Sequence, residues 1–194
     1  MSDRSDEQLM AAYRAGDQAA FRELHARWAP RIERLLRRDV VRAEDARDLV
    51  QQTFLQLHRA RHDFRADARL QPWIFTIALN LKRQHFRRLS RRPEASVADA
   101  GAEASPQDRD PDARIDDAHV RAALVALPEA QRDVIVLHWF EGLSFPEVAE
   151  IVGAKVSAVR VRAHRGYARM RELLVAKGVT PDLPEVYVGI EGSR

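Results

Sequence analysis

The stretch Phe64–Arg92, FRADARLQPWIFTIALNLKRQHFRRLSRR, constrains this chain more than any other. A polar loop carrying one aromatic leads to Pro72, which suits the first turn of a helix because the N–H it lacks would be unpaired there. Ile74, Ile77, Ala78 and Leu81 recur at helical spacing and predict one buried stripe. Trp73, Thr76, Asn80 and Arg83 fall on other faces, and the C-terminal half gathers Lys82, Arg83, His85, Arg87, Arg88, Arg91 and Arg92. Aromatics and amides leading into arginines suit an exposed nucleic-acid strand: rings stack on unpaired bases, amides read base edges and guanidiniums follow phosphates. A solvated basic helix C-terminus, with Trp73 in the core, accounts for the same residues. The helix alone does not decide between them.

Charge along the chain separates three regions. Residues 1–92 hold 20 Lys and Arg against 12 Asp and Glu, residues 93–119 hold 2 against 8, and residues 120–194 hold 10 against 9. A basic block, an acidic connector and a near-neutral block predict two units with different partners. The absence of Cys excludes disulfide frameworks, thiolate metal sites and cysteine nucleophiles. MSDRSDEQLM lacks the apolar core of a signal peptide, and no run reaches the length of a membrane span, so a soluble cytoplasmic protein is expected.

Every periodic segment is helical. Asp6 to Ala15 predicts a short helix stopped by Gly16, and Asp17 is placed to cap a second with Phe21, Leu24, Trp28, Ile32 and Leu35 inside. Pro30 should kink that helix rather than split it, because the apolar spacing continues across it. Ala43 to Arg61 is the cleanest amphipathic segment, with Asp45 as its cap and Asp48 in its first turn. Leu49, Val50, Thr53, Phe54 and Leu57 point inward, leaving Asp45, Asp48, Gln51, Gln52 and Gln56 as an acidic, amide-rich surface. That surface suits a basic protein partner, though an ordinary solvated face has the same composition. Residues 93–114 are rich in Ala, Asp, Ser and Pro without periodicity and predict a flexible acidic linker.

Beyond the linker, Val120, Ala123, Leu124 and Leu127 predict one helix, and Pro128 opens the next. Ser144 can cap a short helix broken by Gly153, followed by a longer one from Val156 to Leu174. A short helix, a Gly-containing turn and an Arg-rich second helix form the helix-turn-helix pattern. Ser157, Ala158, Arg160, Val161, Arg162, His164 and Arg165 occupy the first half of the second helix, where residues facing away from the packing stripe can enter a major groove. Residues 178–194 predict an extended tail. The expected fold class is all-α: a helical bundle (1–92) and a helix-turn-helix domain (115–177), joined by the linker at 93–114.

Four segments taken in order resemble the extracytoplasmic-function sigma factors, promoter-recognition subunits of bacterial RNA polymerase. They are GDQAAFRELHARWAPRIERLLRR, DARDLVQQTFLQLHR, FRADARLQPWIFTIALNLKRQHFRR and the stretch from LPEAQRDVIVLHWFEGLSFPEVAEIVG through AKVSAVRVRAHRGYARMRELL. The resemblance implies that the segment Asp45 to Phe54, and in it Asp48, Leu49, Gln51, Gln52 and Phe54, binds the clamp helices of the largest core subunit. It implies that Phe64, Arg65, Asp67, Trp73, Thr76, Asn80, Arg83 and Arg87 open the minus-ten element and capture a flipped base. It implies that Ser157 to Arg165 read the minus-thirty-five element, and that an anti-sigma protein holds the free factor inactive. Gln52 replaces a usual Glu, Leu70 a usual aromatic, and Lys155 the usual Ser or Thr cap of the recognition helix. Ser157 is then the alternative cap, which would start that helix two residues later. Ala158 and Val161 replace polar residues and shift readout toward thymine methyls.

Other classes explain less. Phosphate-cradling, metalloprotease and dinucleotide motifs are absent, so no catalytic residue, cofactor, metal or small-molecule substrate is expected. His58 and His62 sit four apart, but no third ligand is placed to complete a metal set. An operator-binding regulator that works without polymerase explains residues 120–175 and leaves the basic first unit unexplained.

Overall fold

The computed structural model describes residues 3–39, 42–65, 67–91 and 115–179. The linker and most of the tail read from the sequence lie outside these. The described residues are helical and contain no strand: α1 (Asp6–Arg14), α2 (Gln18–Leu36), α3 (Ala43–Arg59), α4 (Leu70–Leu89), α5 (Ile115–Val125), α6 (Glu129–Ile135), α7 (Phe145–Val152) and α8 (Val156–Val175), with a π-helical turn at Val136–Phe140. They divide into two compact units, α1–α4 in the first and most of the remainder in the second.

In the first unit side chains cap the starts of α1 and α2. Ser5 and Gln8 form a reciprocal capping box on α1. The Asp17 carboxylate accepts the N–H groups of Ala19 and Ala20, as its spacing predicts, which holds its pKa low. Pro30 lies within α2 without splitting it. The core is built from Leu9, Met10, Leu24, Trp28, Ile32, Leu57, Ile74 and Phe75, and Trp28 meets Phe75 edge-on at 5.6 Å between ring centroids. Phe21 is only half-buried and stacks on Tyr13 at 4.7 Å. His58 and His62 are both exposed, and the His58 Nδ1 bonds the Tyr13 hydroxyl.

Two helix starts differ from expectation. Asp45 does not cap α3. Arg42 holds the cap position without a side-chain bond, and Asp45 is the third helical residue, close enough to the N-terminus to favour negative charge. Asp48 falls beyond the first turn. α4 begins at Leu70, two residues before Pro72, because the Glu7 carboxylate reaches from α1 to accept the Leu70 N–H at 3.2 Å. Burial alone would raise the Glu7 carboxyl, but hydrogen bonds from its own N–H and from that of Leu70 bring it below its usual range. Pro72 is harmless at the third position, since the first four N–H groups have no intrahelical partner. The buried stripe consists of Leu70, Ile74, Phe75, Ala78, Leu79 and Lys82, with Ile77 and Leu81 half-buried.

The second unit rests on α8, against which α5 and α6 pack. Pro128 occupies the cap of α6, and the π-helical turn ends with the Glu141 N–H on the Val136 carbonyl. His138 is a packing residue. Its ring stacks on Phe145 at 4.1 Å, and its Nδ1–H donates to the Leu143 carbonyl at 2.6 Å. Ser144 and Glu147 form the cap of α7. The α7–α8 turn pivots on Gly153, whose φ of +66° favours a residue without a side chain. Gly166 serves a different purpose: a Cβ there would lie 2.6 Å from Ile135 Cδ1, so α8 approaches α6 closely at this point and a side chain there would have to push the Ile135 tip aside.

Candidate nucleic-acid interface

The structure places the α3 set on two sides of its helix. Asp48, Gln51 and Gln52 are exposed and Asp45 half-buried, whereas Leu49 and Phe54 are 3% and 4% exposed. Leu49 and Phe54 therefore hold α3 in the core. Thr53, also buried, donates its hydroxyl to the Leu49 carbonyl at 2.7 Å. Sequence reasoning passed over Leu55, which is 48% exposed one turn beyond Gln51 and Gln52. Its signal was an apolar residue off the inward stripe.

The second set divides between a loop and a helix face. Phe64 is buried, and its ring lies 5.1 Å from that of Trp73, so it supports the half-buried indole from below. Arg65 and Asp67 form a two-pronged pair at 3.1 and 2.7 Å. The pair is exposed, and the Arg65 guanidinium holds the Asp67 carboxyl below its usual range. On α4, Trp73, Thr76, Asn80, Arg83 and Arg87 follow a three-four spacing and share one stripe about 21 Å long at 1.5 Å per residue. Thr76 donates to the Pro72 carbonyl at 2.8 Å, and Arg83 donates to the Asn80 amide oxygen at 3.0 Å. The basic run is not one surface. Lys82 is fully buried and pairs with Asp39 at 2.7 Å.

On α8, Ser157, Arg160, Val161, His164 and Arg165 are exposed, while Ala158 and Arg162 are half-buried. Val161, at 39% exposure, is an apolar residue in a polar and basic face. Lys155 takes the cap position without a side-chain bond and α8 starts at Val156, so Ser157 is the second helical residue and the start is not displaced. Val159 and Ala163, on the other side of the same helix, are buried.

Among the described residues no helix is long and apolar enough to cross a membrane, and no cluster of three potential metal ligands occurs. Comparison with known proteins accounts for this arrangement. The family model Sigma-70 region 2 matches residues 24–92, and Sigma-70, region 4 matches residues 118–170. The chain is 39% identical to the RNA polymerase sigma factor CarQ of Myxococcus xanthus, covering 85% of this chain and 95% of that one. It is 34% identical to the ECF RNA polymerase sigma factor SigM of Mycobacterium tuberculosis, covering 89% and 86%. The sigma factor RpoE of Bartonella quintana, solved with the anti-sigma factor NepR, superimposes with a TM-score of 0.64 at 25% identity, covering 80% of this chain and 96% of that one. With both family regions matched in order on two helical units, the chain belongs to the extracytoplasmic-function sigma factors, initiation factors that direct bacterial RNA polymerase rather than enzymes.

Proposed function

We propose that this chain brings the polymerase core to a two-part promoter by dividing the work among three faces. The exposed Asp48, Gln51, Gln52 and Leu55 of α3, with Asp45 beside them, meet the clamp helices of the largest core subunit. Residues 1–92 form the unit that opens the minus-ten element, and residues 115–177 form the unit that reads the minus-thirty-five element through α8. The linker and tail fall outside both.

The α4 stripe is the observation that carries this reading. Trp73 offers an indole face backed by Phe64, Thr76 and Asn80 offer polar groups one turn apart, and Arg83 and Arg87 continue in the direction of a phosphate backbone. Extruding a base costs a few kcal/mol, and stacking it on an aromatic returns roughly 1–3 kcal/mol. Strand opening can therefore be driven by binding. The exposed Arg65–Asp67 pair stands between Phe64 and the start of α4, where it can present its charges to the strand.

An anti-sigma protein is the proposed regulator, in keeping with the complex in which RpoE is seen, and the site of action is the cytoplasm. The test is transcription in vitro with sigma-free core polymerase on fragmented DNA from the source organism, with transcript starts sequenced. Discrete starts sharing two upstream motifs are expected. Tight binding to duplex DNA by the protein alone, with no initiation and no binding to core, would replace this reading with that of an operator-binding regulator.

A further inference from the structure

We propose that the polymerase-facing surface does not end on α3 but continues onto α4 as a two-walled cleft, with Gln84, His85 and Arg88 as the second wall. Its occupant is a helix edge of the core that carries one basic and one acidic side chain. The proposal rests on the assignment of the α3 face above.

The cleft encloses about 60 Å³ between Asp45, Asp48 and Gln52 on α3 and Gln84, His85 and Arg88 on α4. That space admits a side-chain tip and excludes a nucleotide or metabolite. Leu49 and Leu81 give it an apolar base. Asp48 and Arg88 carry opposite charges and line the same cleft, yet neither has an ion-pair partner among the described residues. His85 Nε2 stands 4.0 Å from Asp45 Oδ2, short of a hydrogen bond. Opposite charges held apart across a narrow opening remain available to a third party. A partner cation meets Asp48 and a partner carboxylate meets Arg88. Nucleic acid does not fit, because two carboxylates stand where phosphates would approach.

The helical spacing of α4 keeps this wall distinct from the DNA stripe. Leu81, Gln84, His85 and Arg88 repeat the three-four spacing of Asn80, Arg83 and Arg87 one residue later, which rotates them by about 100° around the axis. Adjacent arginines therefore take different roles: Arg87 follows the strand, and Arg88 faces protein.

The test measures affinity for sigma-free core by fluorescence competition, and fork-junction DNA binding by holoenzyme assembled at saturating sigma. Arg88→Glu is expected to weaken core binding by about tenfold and to leave the DNA step within about twofold. Arg22→Glu, the same charge change at an exposed position of α2, is expected to stay within about twofold of the parent in core binding. Thermal melting of each variant checks folding. If Asp48→Lys weakens core binding and Arg88→Glu does not, the second wall is refuted and the α3 assignment stands. If neither acts on core binding, the α3 assignment falls as well. An effect of Arg88→Glu confined to the DNA step overturns the proposal by returning Arg88 to the nucleic-acid stripe.

Discussion

Lys82 provides the sharpest test of how the first unit is held together. Its side chain is fully buried, the Asp39 carboxylate beside it is 6% exposed, and the two atoms lie 2.7 Å apart. Lys82→Met leaves that carboxylate out of water without its cation, a change that typically costs about 3–5 kcal/mol. Asp39 keeps further polar contacts, which places the expected loss near the lower end of that range. Urea unfolding of the full chain at neutral pH can read it, using a Trp139→Phe background in which Trp28 and Trp73, both in the first unit, supply the tryptophan fluorescence. For a slope of about 2 kcal/mol per molar urea, a loss of about 3 kcal/mol moves the midpoint down by roughly 1.5 M. Replacing both partners, Lys82→Met with Asp39→Leu, is expected to recover most of the loss, giving a coupling of at least about 2 kcal/mol. A midpoint shift below about 0.3 M for the single variant would refute the reasoning. So would a drop of about 0.9 in the salt dependence of promoter binding, the mark of a lost phosphate contact.

The remaining expectations concern single side chains. Replacing thymines of the upstream element one at a time with deoxyuridine is expected to reduce initiation about fourfold at one or two positions, the worth of one buried methyl. Val161→Ala should flatten that difference, and insensitivity at every thymine would remove Val161 from base contact. Tyr167 is 4% exposed, its hydroxyl has no hydrogen-bond partner among the described residues, and burial pushes its pKa from 10.0 up to about 12. The folded chain therefore keeps a proton that the unfolded chain releases, so stability present below pH 10 declines as pH rises toward about 12. Tyr167→Phe should remove that alkaline loss and stabilise the second unit by about 1 kcal/mol, read by thermal unfolding across the pH range. Glu7→Ala leaves the Leu70 N–H without its acceptor and is expected to cost about 1 kcal/mol in urea unfolding of the first unit. An unchanged midpoint would show that the bond contributes nothing.

What could be read from the sequence was what neighbours in sequence determine. Asp17 and Ser144 cap the helices their spacing assigned to them, and Gly153 turns the chain where two periodic segments meet. The three candidate faces are likewise stripes at helical spacing, which need no tertiary information to find. The misses come from partners far apart in the chain. Nothing near Lys82 distinguishes it from the arginines around it, because its burial depends on Asp39, 43 residues earlier. α4 starts at Leu70 beside an acceptor 63 residues away, and its most buried side follows the packing against the other helices, which leaves Ile77 and Leu81 half-buried. Leu49 and Phe54 illustrate a different difficulty. A motif keeps residues that shape a surface together with residues that touch the partner, and periodicity had already placed these two inside.

The close approach at Gly166 has a mechanical consequence. α8 is a rod about 30 Å long, and Gly166 lies about 14 Å along the axis from Ser157, at 1.5 Å per residue. Its contact with Ile135 therefore acts as a fulcrum, with the residues proposed to read bases on one arm and Met170 and Leu174 anchored in the core on the other. A single methyl added at the pivot must displace the tip of the fully buried Ile135, so the strain falls on the packing of α8 against α6. The seating of α8 on α6 thus depends on the smallest residue in the helix, well beyond the positions proposed to read bases.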